Sequence, residues 1–317
     1  MNEGIWLVGA GQMAREYLKV MDAQQRPCTV IGRGEESASL CEEKADCSVV
    51  RGGLASFLAS KPLPCKQAIV AVNADLLAST ALQLIGSGVK SILVEKPCGL
   101  SLSEITAVKD AAESNGTEVF IAYNRRCYAS VLKAKQLIEE DGGVISFTFE
   151  FTELSRQISG LDHKKCIKEK WFLANSTHVV DLAFYLGGKP AQIECLSKGG
   201  LDWHPSASIF AGVGVSENGA LFSYMSNWES AGRWGVEICT RKHRLIFRPM
   251  EKLQVQELGK FTADFIELGH TMDLDYKPGL YLQVEHFLND NNSELCTIKD
   301  QLAHMSIYNK IANYSEK

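Results

Sequence analysis

The stretch that most narrows the fold is Val8-Gly9-Ala10-Gly11-Gln12-Met13-Ala14, which reads G-x-G-x-x-A between an apolar run, Gly4 to Val8, and an amphipathic one, Ala14 to Gln24. A strand that turns into a helix through such glycines opens a βαβ unit. Gly9 permits the tight turn, Gly11 lets a pyrophosphate approach the backbone, and Ala14 lets the helix pack closely on the strand. The free N–H groups of the helix N-terminus, in the turn that holds Gln12 and Met13, then favour phosphate. The order of elements predicts a dinucleotide site; a purely structural glycine turn is the alternative.

The rest of the first third keeps the same rhythm. Thr29 to Ile31, Ser48 to Val50, Gln67 to Val72, Ser91 to Val94 and Glu118 to Ala122 read as strands. Helical patterns lie between them at Ala14 to Gln24, Ser37 to Lys44, Leu76 to Ser87 and Ser103 to Asn115. That alternation predicts a parallel sheet in an α/β unit. Ser101 is placed to cap the last helix and Asn115-Gly116 to stop it. About 20 residues past the fingerprint, where an acid commonly meets a ribose 2′-hydroxyl, the chain has Gly32 and Arg33. A guanidinium there suits a 2′-phosphate, so NADP is expected over NAD. The other reading leaves Arg33 in solvent and gives the acid's place to Glu35 or Glu36, which favours NAD.

After Tyr123 the pattern changes. A helix at Ala129 to Glu140 precedes the alternating strand Val144 to Phe151, and a second helix, Thr177 to Leu186, follows a loop. Strands then come in series at Ala191 to Ser197, Ser208 to Val215, Ala220 to Asn227, Gly235 to Thr240 and Arg244 to Phe247. Helical segments at Leu280 to Leu288 and Ile298 to Tyr308 follow. Strands joined by short turns predict a mostly antiparallel sheet in a second domain. The expected division is 1–122 for an N-terminal Rossmann domain and 123–317 for a C-terminal α/β domain with an open sheet, its last helices free to pack back on the first domain. A broad sheet face of this kind calls for a partner, so a homodimer or homotetramer is expected.

Composition excludes several classes of function. A net charge of -5 with no long run of one sign gives no footprint for nucleic acid or a membrane surface. No stretch approaches the ~18 apolar residues that a spanning helix needs, and no basic and apolar leader opens the sequence. Ten scattered cysteines without C-x-x-C spacing read as reduced thiols, hence a cytoplasmic protein; neither they nor the seven histidines show a metal-ligand pattern, so no metal is expected.

Val94-Glu95-Lys96-Pro97 after the fifth strand resembles the E-K-P motif of the glucose-fructose oxidoreductase and inositol dehydrogenase (Gfo/Idh/MocA) family. The resemblance runs along nearly the whole chain. It includes the glycine turn, Ala71-Val72-Asn73, Tyr123-Asn124-Arg125-Arg126 and His178-Val179-Val180-Asp181. It implies a Rossmann domain followed by an α/β domain with an open antiparallel sheet, and hydride transfer at a carbon of a sugar, polyol or nucleotide-sugar. Glu95, Lys96, Pro97, Val72 and Asn73 then border the cofactor.

Chemistry gives Lys96 a role of its own. When a carbinol carbon loses hydride its hydroxyl loses a proton, and a base must be within reach. A lysine at the carboxyl edge of a parallel sheet is placed where open α/β folds bind ligands; a surface pair with Glu95 is the other reading. His178 and Asp181, three apart, share a helix face. The resemblance makes His178 a catalytic residue that binds the reacting hydroxyl or assists proton transfer, and Asp181 a support for the site. Tyr123, Arg126 and Asn175 are read as substrate contacts, with inter-domain packing as the other reading of Arg126.

The sequence departs from the family pattern D-x-G-x-H, since it reads Ala174-Asn175-Ser176-Thr177-His178. The carboxylate is missing and Asn175 cannot replace it as a base. That leaves proton transfer to Lys96 and His178, or else a non-catalytic dinucleotide-binding sensor or assembly protein of the same fold. Lys164, Lys165, Lys168 and Lys170 suit either a phosphorylated or nucleotide-linked sugar or a solvated face, and Trp203-His204-Pro205 falls in a loop, with stacking on a sugar ring one reading of it.

Overall fold

A computed structural model of the chain describes residues 4–63, 65–269 and 272–315. The backbone forms two compact units. One takes the chain through Asn124 and adds Asp275–His304; the other holds Arg125–Leu274 and the chain from Met305 on.

In the first unit, β1 (Ile5–Val8), β2 (Cys28–Ile31), β3 (Val49–Val50), β4 (Gln67–Val70), β5 (Ser91–Val94) and β6 (Glu118–Ile121) are parallel, in the order β3-β2-β1-β4-β5-β6. Strand Cys296–Thr297 adds an antiparallel edge on β6. Every residue of β1, β4 and β5 is buried, the signature of strands covered on both faces. The crossovers are α1 (Gln12–Ala23), α2 (Glu35–Ala45), α3 (Gly53–Ala59), α4 (Leu77–Gly86) and α5 (Leu102–Asn115). The direction of winding reverses between β1 and β4, which opens a crevice at their carboxyl ends. Helix α5 starts as its sequence dictates. Ser101 Oγ accepts from the Glu104 N–H, Glu104 accepts from the Ser101 N–H, and Gly116 closes the helix at φ +59°. Leu280, Val284 and Phe287, from the helix Leu280–Leu288, join the core formed by Leu7, Tyr17 and Ile69.

The second unit begins with α6 (Ala129–Glu140) and β7 (Ser146–Glu150), followed by the short helices α7 (Ser155–Ser159) and α8 (Lys165–Glu169). The segment read as a loop before the next helix is instead a π-helical turn, Phe172–Ser176, which runs directly into α9 (Thr177–Gly187). The strands β8 (Pro190–Lys198), β9 (Ile209–Ser216), β10 (Leu221–Asn227), β11 (Gly235–Cys239), β12 (His243–Phe247), β13 (Gln254–Glu257) and β14 (Asp264–Phe265) join β7 in one open sheet. Its order is β14-β13-β12-β11-β7-β10-β9-β8, antiparallel except where β7 meets β10. One face packs on α9 through Phe147, Phe149, Phe184 and Phe222, whose rings meet edge-on or stacked. On the other face Leu196, Val213, Leu221 and Met225 are 59–75% exposed. Among the described residues no helix is long and apolar enough to cross a membrane.

Candidate active site

The crevice of the first unit is a cavity of about 480 Å³ lined by Gly9, Gly11, Arg33, Val72 and Asn73, all five singled out in the sequence. Gly9 sits at φ +130°, and a Cβ there would come within 2.2 Å of the Ala71 carbonyl oxygen. Only glycine therefore allows the β1 turn to pass so close to the end of β4. A Cβ on Gly11 would meet nothing within 4 Å, because it faces the open cavity. Gly11 is also the N-cap of α1 and supplies no side-chain cap, so the helix presents bare N–H groups to that space. Met13 is half-buried and Ala14 fully buried against the core behind the turn; Gln12 is exposed.

Among the described residues the wall of this cavity carries one cation, Arg33, and no carboxylate. Glu35, the alternative acid, is bonded through its carboxylate to Arg51, with N···O distances of 2.9 and 3.0 Å. The cavity fits a dinucleotide: a glycine cradle without side chains, an uncapped helix end and a guanidinium at the far rim.

Lys96 follows β5 at the carboxyl edge of the same sheet and is only 9% exposed. The preceding Glu95 is fastened by the Tyr17 hydroxyl, 2.7 Å from its carboxylate, and its N–H donates to the Val70 carbonyl. Burial pushes the Glu95 carboxyl above its ordinary range, although the Tyr17 hydrogen bond and the Lys96 charge pull the other way. The Pro97 carbonyl accepts from Gln301, whose amide oxygen in turn accepts from the Tyr123 hydroxyl. Tyr123, read as a substrate contact, is thus a buried strut under the E-K-P turn.

The second unit carries the remaining residues. Arg126 and Asp181 form a bidentate pair at 2.9 and 2.6 Å, with the guanidinium over the Tyr185 ring. They are 7% and 1% exposed, and the pair ties α9 to the chain just after Asn124. Asp181, expected as a support for the site, and Arg126, read as a substrate contact or a packing residue, are buried against each other and anchor the helix. His178, one turn away on α9, is half-buried and lies 6.4 Å from the Trp234 ring, over which Arg125 is placed.

Asn175, on the π-helical turn, lines a cavity of about 280 Å³ together with Arg125, Glu153, Trp234 and Glu251. Glu153 was missed in the sequence. Its carboxylate, 6% exposed in side chain and backbone together, accepts from Asn175 Nδ2 at 3.0 and 3.1 Å and from Ser176 Oγ at 2.6 Å. The carboxylate absent at Ala174 therefore has a counterpart beside Asn175, delivered by the chain leaving β7. No local spacing announces it, since Glu153 precedes Asn175 by 22 residues.

The fold and the crevice define the first unit as a dinucleotide-binding Rossmann unit. Residues 4–123 match the Gfo/Idh/MocA family model, described as an oxidoreductase family with an NAD-binding Rossmann fold. A curated relative, glucose-6-phosphate 3-dehydrogenase of Bacillus subtilis (strain 168), is 29% identical over 113 residues; the match spans 33% of this chain and 32% of that protein. Among solved structures, levoglucosan dehydrogenase in complex with NADH aligns with a TM-score of 0.78 at 18% identity, covering 100% of this chain and 98% of that one. UDP-N-acetylglucosamine 3-dehydrogenase GnnA from Acidithiobacillus ferrooxidans gives 0.76 at 16%, over 98% and 97%. A putative NADPH-dependent oxidoreductase from Desulfitobacterium hafniense gives 0.77 at 16%, over 98% and 94%. These likenesses show that the whole chain shares the two-part fold, with its open, mostly antiparallel second sheet.

Proposed function

We propose that the chain is an NADP-dependent oxidoreductase that moves a hydride to or from a carbinol carbon of a sugar, polyol or nucleotide-sugar. The observation that carries the reading is the crevice wall, where a bare glycine cradle is joined by Arg33 and by no carboxylate. Relatives named as dehydrogenases of glucose 6-phosphate, levoglucosan and UDP-N-acetylglucosamine support the substrate class.

Gly9, Gly11 and the α1 N-terminus hold the pyrophosphate, Val72, Asn73 and Pro97 border the cofactor, and Arg33 pairs with a 2′-phosphate. The bound nicotinamide supplies the hydride acceptor in oxidation and the donor in reduction. In oxidation, Lys96 takes the hydroxyl proton as the carbon gives up its hydride and C=O forms; in reduction it returns that proton. His178 binds the reacting hydroxyl, Asn175 donates to a neighbouring one, and Glu153 supplies the carboxylate missing at residue 174. The Arg126–Asp181 pair keeps α9, and so His178, in place. Ten free thiols suit the reducing cytoplasm, and the exposed sheet face pairs with a second copy in a dimer or tetramer.

The test is spectrophotometric. The protein is incubated with NADP⁺ and a panel of free, phosphorylated and nucleotide-linked sugars, and absorbance is followed at 340 nm. Growth of reduced cofactor with a subset of the panel is expected. A second reading is favoured by Ala174: a dinucleotide-binding sensor without chemistry, which binds NADPH tightly and gives no signal with any sugar.

A further inference from the structure

Helix α7 has two working faces. Leu154, Gln157 and Ile158 turn towards the Glu153–Asn175 cavity, whereas Ser155, Arg156 and Ser159 line a second cavity of about 560 Å³ that the mechanism does not use. The other walls of this second cavity come from His163, Lys165, Lys168 and the segment Leu201 to Trp203. Three of its side chains are cationic and one, Asp202, is anionic, which leaves a local excess of positive charge. These cations are not consumed by neighbours. Among the described residues Arg156 meets no acid; Lys168 spends one N–H on the Ser159 carbonyl at 2.9 Å; Lys165 has only a 3.6 Å contact with Glu169. An ammonium has three donors and a guanidinium five, so several remain to be directed at a ligand.

The cavity also contains a rigid aromatic platform. Trp203 is half-buried and stacks on the buried Trp228 with centroids 5.7 Å apart and planes 7° from parallel. The Trp171 ring meets it edge-on at 6.3 Å. A ring fixed in this way presents its free surface at little entropic cost, and a planar base stacks on such a surface. Cations with hydrogen-bond donors next to an aromatic plane are the recognition chemistry of a nucleoside diphosphate. Asp202 on the same wall is an acceptor for ribose or base donors.

We propose that this cavity binds the nucleoside diphosphate portion of a nucleotide-linked sugar, with Arg156 and Lys168 on the phosphates and Trp203 under the base. Helix α7 is the common wall between this portion and the cavity of Glu153 and Asn175. That the ligand is the substrate rests on the oxidoreductase reading above; that a diphosphate binds here does not.

The experiment is calorimetric titration of UDP into protein saturated with NADPH. A pyrimidine diphosphate is chosen, and the first-unit cleft is filled, so that the heat reports the second unit alone. Binding is expected to be at least tenfold tighter than that of uridine or of inorganic pyrophosphate. It should weaken at least tenfold in the double variant Arg156→Gln/Lys168→Gln, which changes one exposed and one half-buried side chain, and in Trp203→Leu. Affinity for NADPH should stay unchanged in all three proteins. Absence of UDP binding to the wild type, undiminished binding to the double variant, or pyrophosphate binding as tightly as UDP would overturn the proposal. If UDP binds as described while no sugar is turned over, the diphosphate site stands and the catalytic reading fails.

Discussion

On the proposed reading, cofactor choice turns on Arg33. Replacing it with alanine removes the only cation on the crevice wall among the described residues. Charge-assisted hydrogen bonds to a phosphate are worth roughly 1.5–3 kcal/mol, so NADPH affinity, measured by nicotinamide fluorescence, should fall about tenfold or more. Affinity for NADH, which has no 2′-phosphate, should hold; an equal loss of both would return Arg33 to solvent. His204 bears on stability. Its ring is fully buried between the Ala207 carbonyl and the Tyr314 hydroxyl, both at 2.7 Å, and burial lowers its pKa from 6.5 to about 4. Below pH 6.5 the unfolded chain takes up a proton that the folded one refuses, so stability falls from pH 6.5 towards 4, by up to about 3 kcal/mol. Denaturant melts of His204→Gln should lose this part of the pH dependence. Residues whose meaning lies in local spacing were legible in the sequence: Gly9, Gly11, Ala14 and Arg33 all follow from their distance to one strand. Glu153 and the Arg126–Asp181 pair were not, because 22 and 55 residues separate the partners and only the fold brings them together.

The elements were legible in proportion to their burial and their caps. All six parallel strands, α5 and α9 are strongly apolar or clearly capped, and the sequence finds them within a few residues. Helix α3 has seven residues, Gly53 the first of them, behind Gly52, and β13, Gln254–Glu257, lacks a buried face; neither carries a usable periodicity. The π-helical turn at Phe172–Ser176 escapes for another reason. One inserted residue leaves no compositional mark, yet it sets Asn175 and Ser176 on Glu153, and such turns gather at functional sites. At this scale the capping box offers a clean check. Ser101→Ala removes the acceptor for the Glu104 N–H and should cost about 1 kcal/mol. For a chain of this size that is roughly a 2 °C fall in the melting temperature of the first unit, read by scanning calorimetry. No change would mean that the cap is not used.

For the whole molecule, the segment Asp275–His304 takes its place from the fold. The sequence marks Leu280 to Leu288 as a helix and leaves the last helices free to pack back on the first domain; its apolar face lies in the first unit's core, and Gln67 donates to the Phe287 carbonyl at 2.9 Å. The open sheet makes the complementary prediction. Leu221 and Met225 on β10 share their face with Val213 on β9 and Leu196 on β8, and all four are largely exposed. If that face pairs with a second copy, light scattering after size exclusion will give a multiple of 34.9 kDa, and Val213→Glu with Met225→Glu will reduce it to one; a wild-type monomer would refute the pairing.

The central claim, that Lys96 moves the proton in a hydride transfer, is most directly tested by Lys96→Met, assayed for NADPH binding and for turnover of whichever sugar reduces NADP⁺ fastest. Binding is expected within a few-fold of wild type and turnover lower by about 10²-fold or more, in keeping with the loss of a general base. Turnover equal to wild type would contradict the claim.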